Sequence, residues 1–195
     1  FVPPDGTGRS PVDVARTPGA AVPVRMNDAQ CDPAGRFWAG TMPLDTARRG
    51  AGALYRLDPD GSLHTVLPNV TISNGLAWSS DVSTMYYVDS ADGTVWAFDF
   101  AGDGAITGRR PFYVHYGDGV PDGICRDDED HLWVAINGGG ELRRFTPHGE
   151  QVAIVAVTGA KQVSSCALGG PERRTLFVTT TFENLPAEQR VASLV

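Results

Sequence analysis

A repeat of 44 to 49 residues is the feature of this sequence that most constrains its fold. In each copy, an acidic or turn residue is followed six positions later by an aromatic residue within a short apolar run. The aromatic positions 38, 87, 133 and 177 are 49, 46 and 44 residues apart, which is close to the roughly 40 to 50 residues of one β-propeller blade. The four pairs are Asp32 and Trp38, Asp81 and Tyr87, Asp127 and Trp133, and a weaker pair of Pro171 and Phe177.

Further strand signals follow each aromatic run in the same order. Segments led by Gly52, Gly93 and Gly140 have strand length and alternate or run apolar. They end in turn sequences such as residues 58–61, where Asp, Pro and Gly favour hairpin geometry. No stretch has a capped 3.6-residue periodicity of helical length. We therefore predict an all-β fold, with about four blades of a β-propeller forming a single partial domain over residues 1–195.

Charge and cysteine usage exclude several classes of function. The formal net charge is -7 and no basic runs occur, which argues against nucleic acid or an anionic membrane as a partner. No apolar run approaches the roughly 20 residues that a membrane-spanning helix needs. Cys31, Cys125 and Cys166 are widely spaced without a C-x-x-C pair, so neither a disulfide framework nor a thiolate zinc site is indicated. We expect a cytoplasmic protein that binds a small molecule.

Polar residues recur just ahead of each repeat marker. The innermost strand of every propeller blade borders the central channel, so residues repeated there should point toward one axis. Asn and Asp oxygens at such positions suit calcium or magnesium, and carboxylate also binds zinc and manganese. Taken singly, an Asn-Gly or Asp-Gly pair is more often a turn, and the residues alone leave both interpretations open. The pairs are Asn27-Asp28, Asn74-Gly75, Asp122-Gly123 and Ser164-Ser165.

Other catalytic constellations are weak in this sequence. The four histidines fall on predicted outer strands or turns and show no H-x-x-x-H spacing. No G-x-S-x-G nucleophile motif is present. Residues 138–140 lack the setting of a phosphate loop, and residues 99–104 lack the later Glu of a calcium loop. The polar residues of the inner strands are therefore the main candidates for chemistry.

Six ordered motifs resemble the regucalcin/gluconolactonase family. Together they extend over roughly residues 25–181, which is most of the chain. The motifs are residues 25–28 (RMND), 32–42 (DPAGRFWAGTM), 73–79 (SNGLAWS), 86–90 (YYVDS), 121–125 (PDGIC) and 132–135 (LWVA).

The resemblance implies a metal-dependent lactonase. Members of the family are six-bladed propellers that hold one divalent ion through a Glu, an Asn and an Asp, and many hydrolyse sugar lactones. The Asn and Asp match Asn74 and Asp122, and Asp122 is also the expected catalytic residue. The family's substrate-binding residues match Arg25 and Asn27, and its acidic lid residue falls near Asp45. Calcium or zinc is the expected ion, with magnesium and manganese as alternatives.

Two departures from the family pattern lead to further expectations. The Glu ligand belongs to a first blade that this sequence lacks, and the chain starts at Phe1 without an initiator Met, so we expect the true N-terminus to be absent. About four of six blades are expected, and the isolated chain should bind metal weakly and show little lactonase activity. The alternative functions are a non-catalytic metal-binding or regulatory propeller, and a phosphoester or organophosphate hydrolase on the same fold.

Overall fold

Residues 22–182 are described by a computed structural model, where three four-stranded antiparallel sheets and one two-stranded sheet follow one another along the chain. The first sheet contains β1 (Val24–Cys31), β2 (Phe37–Pro43), β3 (Gly52–Leu57) and β4 (Leu63–Val70). The second contains β5 (Ser73–Trp78), β6 (Thr84–Asp89), β7 (Thr94–Phe100) and β8 (Ile106–Val114). The third contains β9 (Val120–Arg126), β10 (Leu132–Asn137), β11 (Glu141–Phe145) and β12 (Gln151–Ala156), and the fourth contains β13 (Val163–Gly169) and β14 (Thr175–Thr180).

Helical structure is minimal in this part of the chain. Within residues 22–182, the only helical element is one 3₁₀ turn, Ser90–Asp92. No helix there has the length and apolar character required to cross a bilayer. The predicted all-β fold class is confirmed for the described residues.

Each four-stranded sheet runs from the centre of the molecule outward, because its strands pair in chain order. The first strands of neighbouring sheets contact one another, β1 with β5, β5 with β9, and β9 with β13. The last strands lie outside, and β12 is largely exposed. This is the arrangement of propeller blades around an axis, and it confirms that each copy of the sequence repeat forms one sheet.

Apolar side chains fill the gaps between neighbouring sheets. Between the first and second sheets, the rings of Trp38, Trp78 and Phe100 form a triangle with centroid separations of 5.9 to 6.0 Å. Two further clusters join the second sheet to the third and the third to the fourth. Since burying one large apolar side chain contributes roughly 1.5–3 kcal/mol, each sheet is stabilised mainly by its neighbours.

The repeated Asp is a structural acceptor for the repeated Trp. In the first sheet, Asp32 Oδ2 accepts from Trp38 Nε1 at 3.0 Å and from Arg36 Nε at 2.6 Å. Asp32 Oδ1 accepts from the backbone N–H groups of Ala34 and Arg36. The carboxylate thus holds the turn between β1 and β2 against a buried indole.

The third sheet reproduces this arrangement, whereas the second modifies it. Asp127 Oδ2 accepts from Trp133 Nε1 at 3.0 Å and from Arg144 Nε at 2.8 Å. In the second sheet, Tyr87 Oη instead donates to Ser73 Oγ at 2.8 Å. Asp81 there accepts only from groups of its own loop. The sequence repeat therefore marks a common strand position with two different hydrogen-bonding solutions.

We predict that Asp32→Ala destabilises the fold by about 3 kcal/mol, because it leaves the Trp38 indole N–H and the Arg36 Nε–H buried without their acceptor and removes the counter-charge of Arg36. Asp81→Ala is the matched control, since Asp81 is exposed and binds no aromatic partner. Urea unfolding should show a much larger loss for Asp32→Ala. Equal losses for the two variants would contradict the structural role of the first acceptor.

Candidate metal centre

A β-bulge interrupts the inner strand of every sheet at the position of the repeated polar residues. In the first sheet, Met26 pairs with Thr41 and Ala29 pairs with Ala39, so β1 carries one extra residue. The same single-residue shift occurs in the other three sheets, between Ser73 and Leu76, between Pro121 and Ile124, and between Val163 and Ser165. Bulges re-aim side chains and are common next to active sites. The recurrent polar pairs are therefore bulge residues within strands, and the turn interpretation of Asn74-Gly75 and Asp122-Gly123 does not hold.

The glycine after each proposed ligand lets the next inner strand approach closely. A Cβ on Gly75 would lie 2.7 Å from both Asp122 O and Ile124 N. A Cβ on Gly123 would lie 2.8 Å from Ser164 O and would also clash with the Ser165 side chain. No side chain fits at such distances from backbone atoms, so at these two positions only glycine allows β5 to approach β9 and β9 to approach β13.

A chain of hydrogen bonds orients Asn27 and Asn74. Asn27 Nδ2 donates to Ser73 O and to Asn74 Oδ1, at 2.7 Å each. Asn74 Nδ2 donates to Ser90 Oγ at 2.6 Å, and Ser90 Oγ donates to Pro121 O at 2.6 Å. Because the one Ser90 hydroxyl proton goes to a carbonyl, Ser90 can only accept from Asn74. This fixes the Asn74 amide with its oxygen facing Asn27.

Asp122 is a half-buried carboxylate on the adjacent inner strand. Its Oδ2 accepts from Asn137 Nδ2 at 2.9 Å. Desolvation by the surrounding strands raises the pKa of Asp122 to about 7. The hydrogen bond from Asn137 opposes this rise, and the neighbouring Asp28 carboxylate adds to it. Asn74 and Asp122 both line a cleft of about 550 Å³.

Asp28 is a residue of this cleft that the sequence prediction did not assign a role. Burial raises the pKa of the Asp28 carboxyl, opposed by a hydrogen bond from the Ala29 backbone N–H. It lines both the cleft with Asp122 and a second cleft of about 480 Å³ formed by the later halves of the inner strands. The sequence feature that could have identified Asp28 is its position next to Asn27 in the first polar pair. The channel thus holds two carboxylates, Asp28 and Asp122, that are close enough to repel each other.

The predicted substrate-binding residues lie at different distances from this centre. Arg25 is exposed at the edge of the cleft, and its Nη1 donates to Asn27 Oδ1 at 2.9 Å. Asp45 lies on an exposed turn after β2, where it pairs with Arg48 at 3.6 Å. Its neighbour Thr46 lines the cleft. The structure therefore places Arg25 and Asn27 at the cleft and Asp45 outside its lining, and the substrate-binding roles of all three residues stay predictions.

A second cluster of acidic and histidine side chains lies away from the channel. Asp127, Glu129 and His131 offer ligand atoms within 4.8 Å of one another. Each Asp127 oxygen already accepts two hydrogen bonds. Oδ1 accepts from two backbone N–H groups, and Oδ2 accepts from the side chains of Trp133 and Arg144. Arg144 also pairs with Glu129 at 2.6 Å, so one guanidinium already contacts both carboxylates of this cluster. We interpret it as structural.

Comparison with known proteins gives a consistent set of similarities. The family model described as SMP-30/Gluconolactonase/LRE-like region matches residues 7–182. Regucalcin from Danio rerio is 40% identical over 168 residues, which cover 84% of this chain and 57% of that protein.

Two solved structures are similar in fold and sequence. A calcium-binding protein, regucalcin, from Agrobacterium tumefaciens is 29% identical with a TM-score of 0.80, over 87% of this chain and 58% of that chain. A gluconolactonase from Xanthomonas campestris is 28% identical with a TM-score of 0.67, over 80% of this chain and 54% of that chain. The present chain thus spans a little over half the length of these proteins.

We predict that Asp122 titrates near pH 7 in the metal-free protein. Its pKa is about 7 in the fold, against 3.8 for an unperturbed aspartate, so the folded state retains a proton between these values. The free energy of unfolding should therefore fall as the pH rises from about 4 to 7, and this component should be absent in Asp122→Asn. Urea unfolding across this pH range, with carboxyl-carbon NMR of Asp122, measures both effects. A midpoint near pH 4 would contradict the prediction.

Proposed function

Because the chain belongs to the SMP-30/gluconolactonase/LRE-like family, we propose that it is part of a hydrolase that opens a sugar lactone with the help of a divalent metal ion. The observation that carries the proposal is the convergence of the Asn74 and Asp122 side chains on one cleft from adjacent inner strands. A gluconolactonase among the similar structures supports a lactone as the substrate class.

The donor atoms of the cleft fit a hard divalent cation. The Asn74 carbonyl has a second lone pair beyond its bond from Asn27, and the Asp122 carboxylate offers further acceptor sites beyond its bond from Asn137. We propose these two residues as metal ligands. An all-oxygen donor set suits calcium, magnesium or manganese, and zinc also accepts carboxylate oxygen. The calcium-binding relative favours calcium among these.

The proposed reaction is direct attack of water on the lactone carbonyl. A divalent ion bound at these oxygens would supply Lewis-acid polarisation of that carbonyl. With an ion bound, Asp122 would be ionised, and its carboxylate is the proposed acceptor of a proton from the attacking water. The ring C–O bond then breaks, and the departing oxygen takes up a proton to give the open hydroxy acid.

Arg25 and Asn27 are proposed to hold the sugar part of the substrate. Arg25 is anchored through Nη1 to Asn27 Oδ1 and to Met26 O, which leaves its other guanidinium N–H groups for substrate oxygens. The amide of Asn27 is in turn bound to Ser73 and Asn74. This couples substrate orientation to the position of the proposed metal ligand Asn74.

A second candidate function is metal binding without turnover. It is favoured by the calcium-binding regucalcin among the similar structures, whose name gives no reaction. Both candidates need the same two ligands, and only release of acid from a lactone separates them. The third alternative is a phosphoester or organophosphate hydrolase. It is tested by adding substrates of these two classes to the lactone assay.

We predict that Asp122→Asn weakens divalent-metal binding at least about tenfold and lowers lactone turnover by roughly 10² or more, because it removes a charged ligand and the proposed base. Asn74→Ala should weaken metal binding by roughly tenfold. Calorimetric titration with Ca²⁺ and Zn²⁺ measures the first effect, and a pH-indicator assay with gluconolactone measures the second. The assay should include any longer form that the gene encodes.

Glu129→Gln is the matched control for these variants, because it removes an acidic group from the peripheral cluster and leaves the channel intact. It should bind metal as the wild type does. If Glu129→Gln lost affinity while Asp122→Asn retained it, the metal centre would lie outside the channel.

We predict that Arg25→Ala lowers kcat/KM for sugar lactones about tenfold more than for an unsubstituted small lactone, because only the sugar offers hydroxyl groups to bind. Arg110→Ala is the control, since Arg110 is exposed on the outer strand β8 and pairs with Asp99. Equal losses on both substrates would indicate structural damage and remove Arg25 from the substrate site.

A further inference from the structure

Two thiols on neighbouring inner strands face each other across the gap between the third and fourth sheets. Cys125 Sγ on β9 and Cys166 Sγ on β13 are 3.5 Å apart. Cys166 is buried and Cys125 is half-buried, and both contribute to the apolar cluster that joins these sheets. Their positions are 41 residues apart in the sequence, so the fold alone brings them together.

The close approach of β9 and β13 places the thiols near disulfide geometry. Gly123 faces Ser164 and Ser165 so closely that a Cβ would not fit. Cys125 lies two residues further along β9, and its contact with Cys166 shows that it also faces β13. The sulfur atoms are 3.5 Å apart, so a disulfide needs them to approach by roughly a further 1.5 Å.

The surroundings give the two thiols different reactivity. The two sulfur atoms share one hydrogen bond, and with Cys166 as its donor the pKa of Cys125 is lowered and the pKa of Cys166 is raised. Both cysteines line the cleft of about 480 Å³ on the far side of Asp28. A small oxidant entering this cleft therefore meets Cys125 as the more nucleophilic sulfur, with Cys166 Sγ 3.5 Å from it.

We propose that Cys125 and Cys166 form a reversible disulfide when the protein meets a small oxidant such as hydrogen peroxide. The Cys125 thiolate attacks one peroxide oxygen, the O–O bond breaks, and Cys125 sulfenic acid forms with loss of hydroxide, which is protonated to water. The Cys166 sulfur then attacks the sulfenic sulfur, the S–S bond forms and the S–O bond breaks. The released hydroxide and the Cys166 proton leave as a second water, so two thiols and one peroxide yield one disulfide and two waters.

The bond would connect the third sheet to the fourth across the core. In a reducing cytoplasm both thiols stay reduced, and the bond forms only under oxidative challenge. Formation would close a loop that contains β10, β11 and β12, which restricts the unfolded chain and secures β13 against β9. The inference is independent of the proposed lactonase function.

Peroxide treatment of the 195-residue chain tests the proposal by thiol counting and peptide mapping. Free thiols, measured after denaturation, should fall from three to one. Trypsin cleaves at Arg126, Arg143 and Lys161, between the two cysteines, so one cross-linked species that dithiothreitol separates should appear. The melting temperature of the oxidised protein should rise by several degrees and return on reduction.

Single serine variants separate this pair from the third cysteine. Cys31→Ser should still form the cross-link, whereas Cys125→Ser and Cys166→Ser should form none and show no rise in melting temperature. Two outcomes would overturn the proposal, both with Cys166 still a free thiol. In one, Cys125 is oxidised to sulfinic acid, and in the other, Cys125 forms a disulfide with Cys31. An unchanged melting temperature in fully cross-linked protein would overturn the tethering effect.

Discussion

The close approach of the inner strands around the axis is the constraint on which the rest of this structure depends. Adjacent inner strands contact each other from β1 through to β13, and each carries a bulge at the same level. A bulge interrupts the hydrogen-bond ladder to the second strand and turns side chains out of the regular alternation. Gly75 and Gly123 supply the space that this convergence needs. The same geometry therefore builds the core and gathers the polar residues in the channel.

Polar groups near the axis satisfy one another across sheet boundaries. Asn27 of the first sheet bonds to the second, and Ser90 carries the network on to the Pro121 carbonyl of the third. A buried polar group without a partner costs about 1–3 kcal/mol, so this network stabilises the convergence while fixing the amide of Asn74. Asp122 is different, because desolvation and the Asp28 charge raise its pKa to about 7. A carboxylate desolvated in this way gains most from a bound cation, which is why the metal proposal centres on it.

The sequence predicted the fold more completely than the site, and particular residues show why. The aromatic spacing identified β2, β6, β10 and β14, because a blade repeats its buried core residue at a fixed chain interval. The bulges were not predicted, since a single Asn-Gly or Asp-Gly pair is more often part of a turn. Ser90 and Asn137 were missed as orienting groups because each meets its partner, 16 or 15 residues away, only once the first two strands of its sheet have paired. Cys125 and Cys166 were interpreted as isolated because 41 residues separate them, and only the packing of β9 against β13 reveals their proximity.

One strand connects the two chemistries inferred for this molecule. β9 carries Asp122, which faces the cleft of about 550 Å³, and Cys125, which faces β13, with Gly123 between them setting the distance to the next sheet. A cross-link at Cys125 would draw β9 toward β13 at a point three residues from Asp122, while Asn74 is held through Ser90 to the Pro121 carbonyl on β9. Movement of β9 would therefore also move the Pro121 carbonyl that holds Ser90, and it would change the positions of both proposed ligands, Asn74 and Asp122. Because the Ser90 bridge ties the second sheet to the third, the thiol pair and the proposed metal ligands share one connected set of strand contacts.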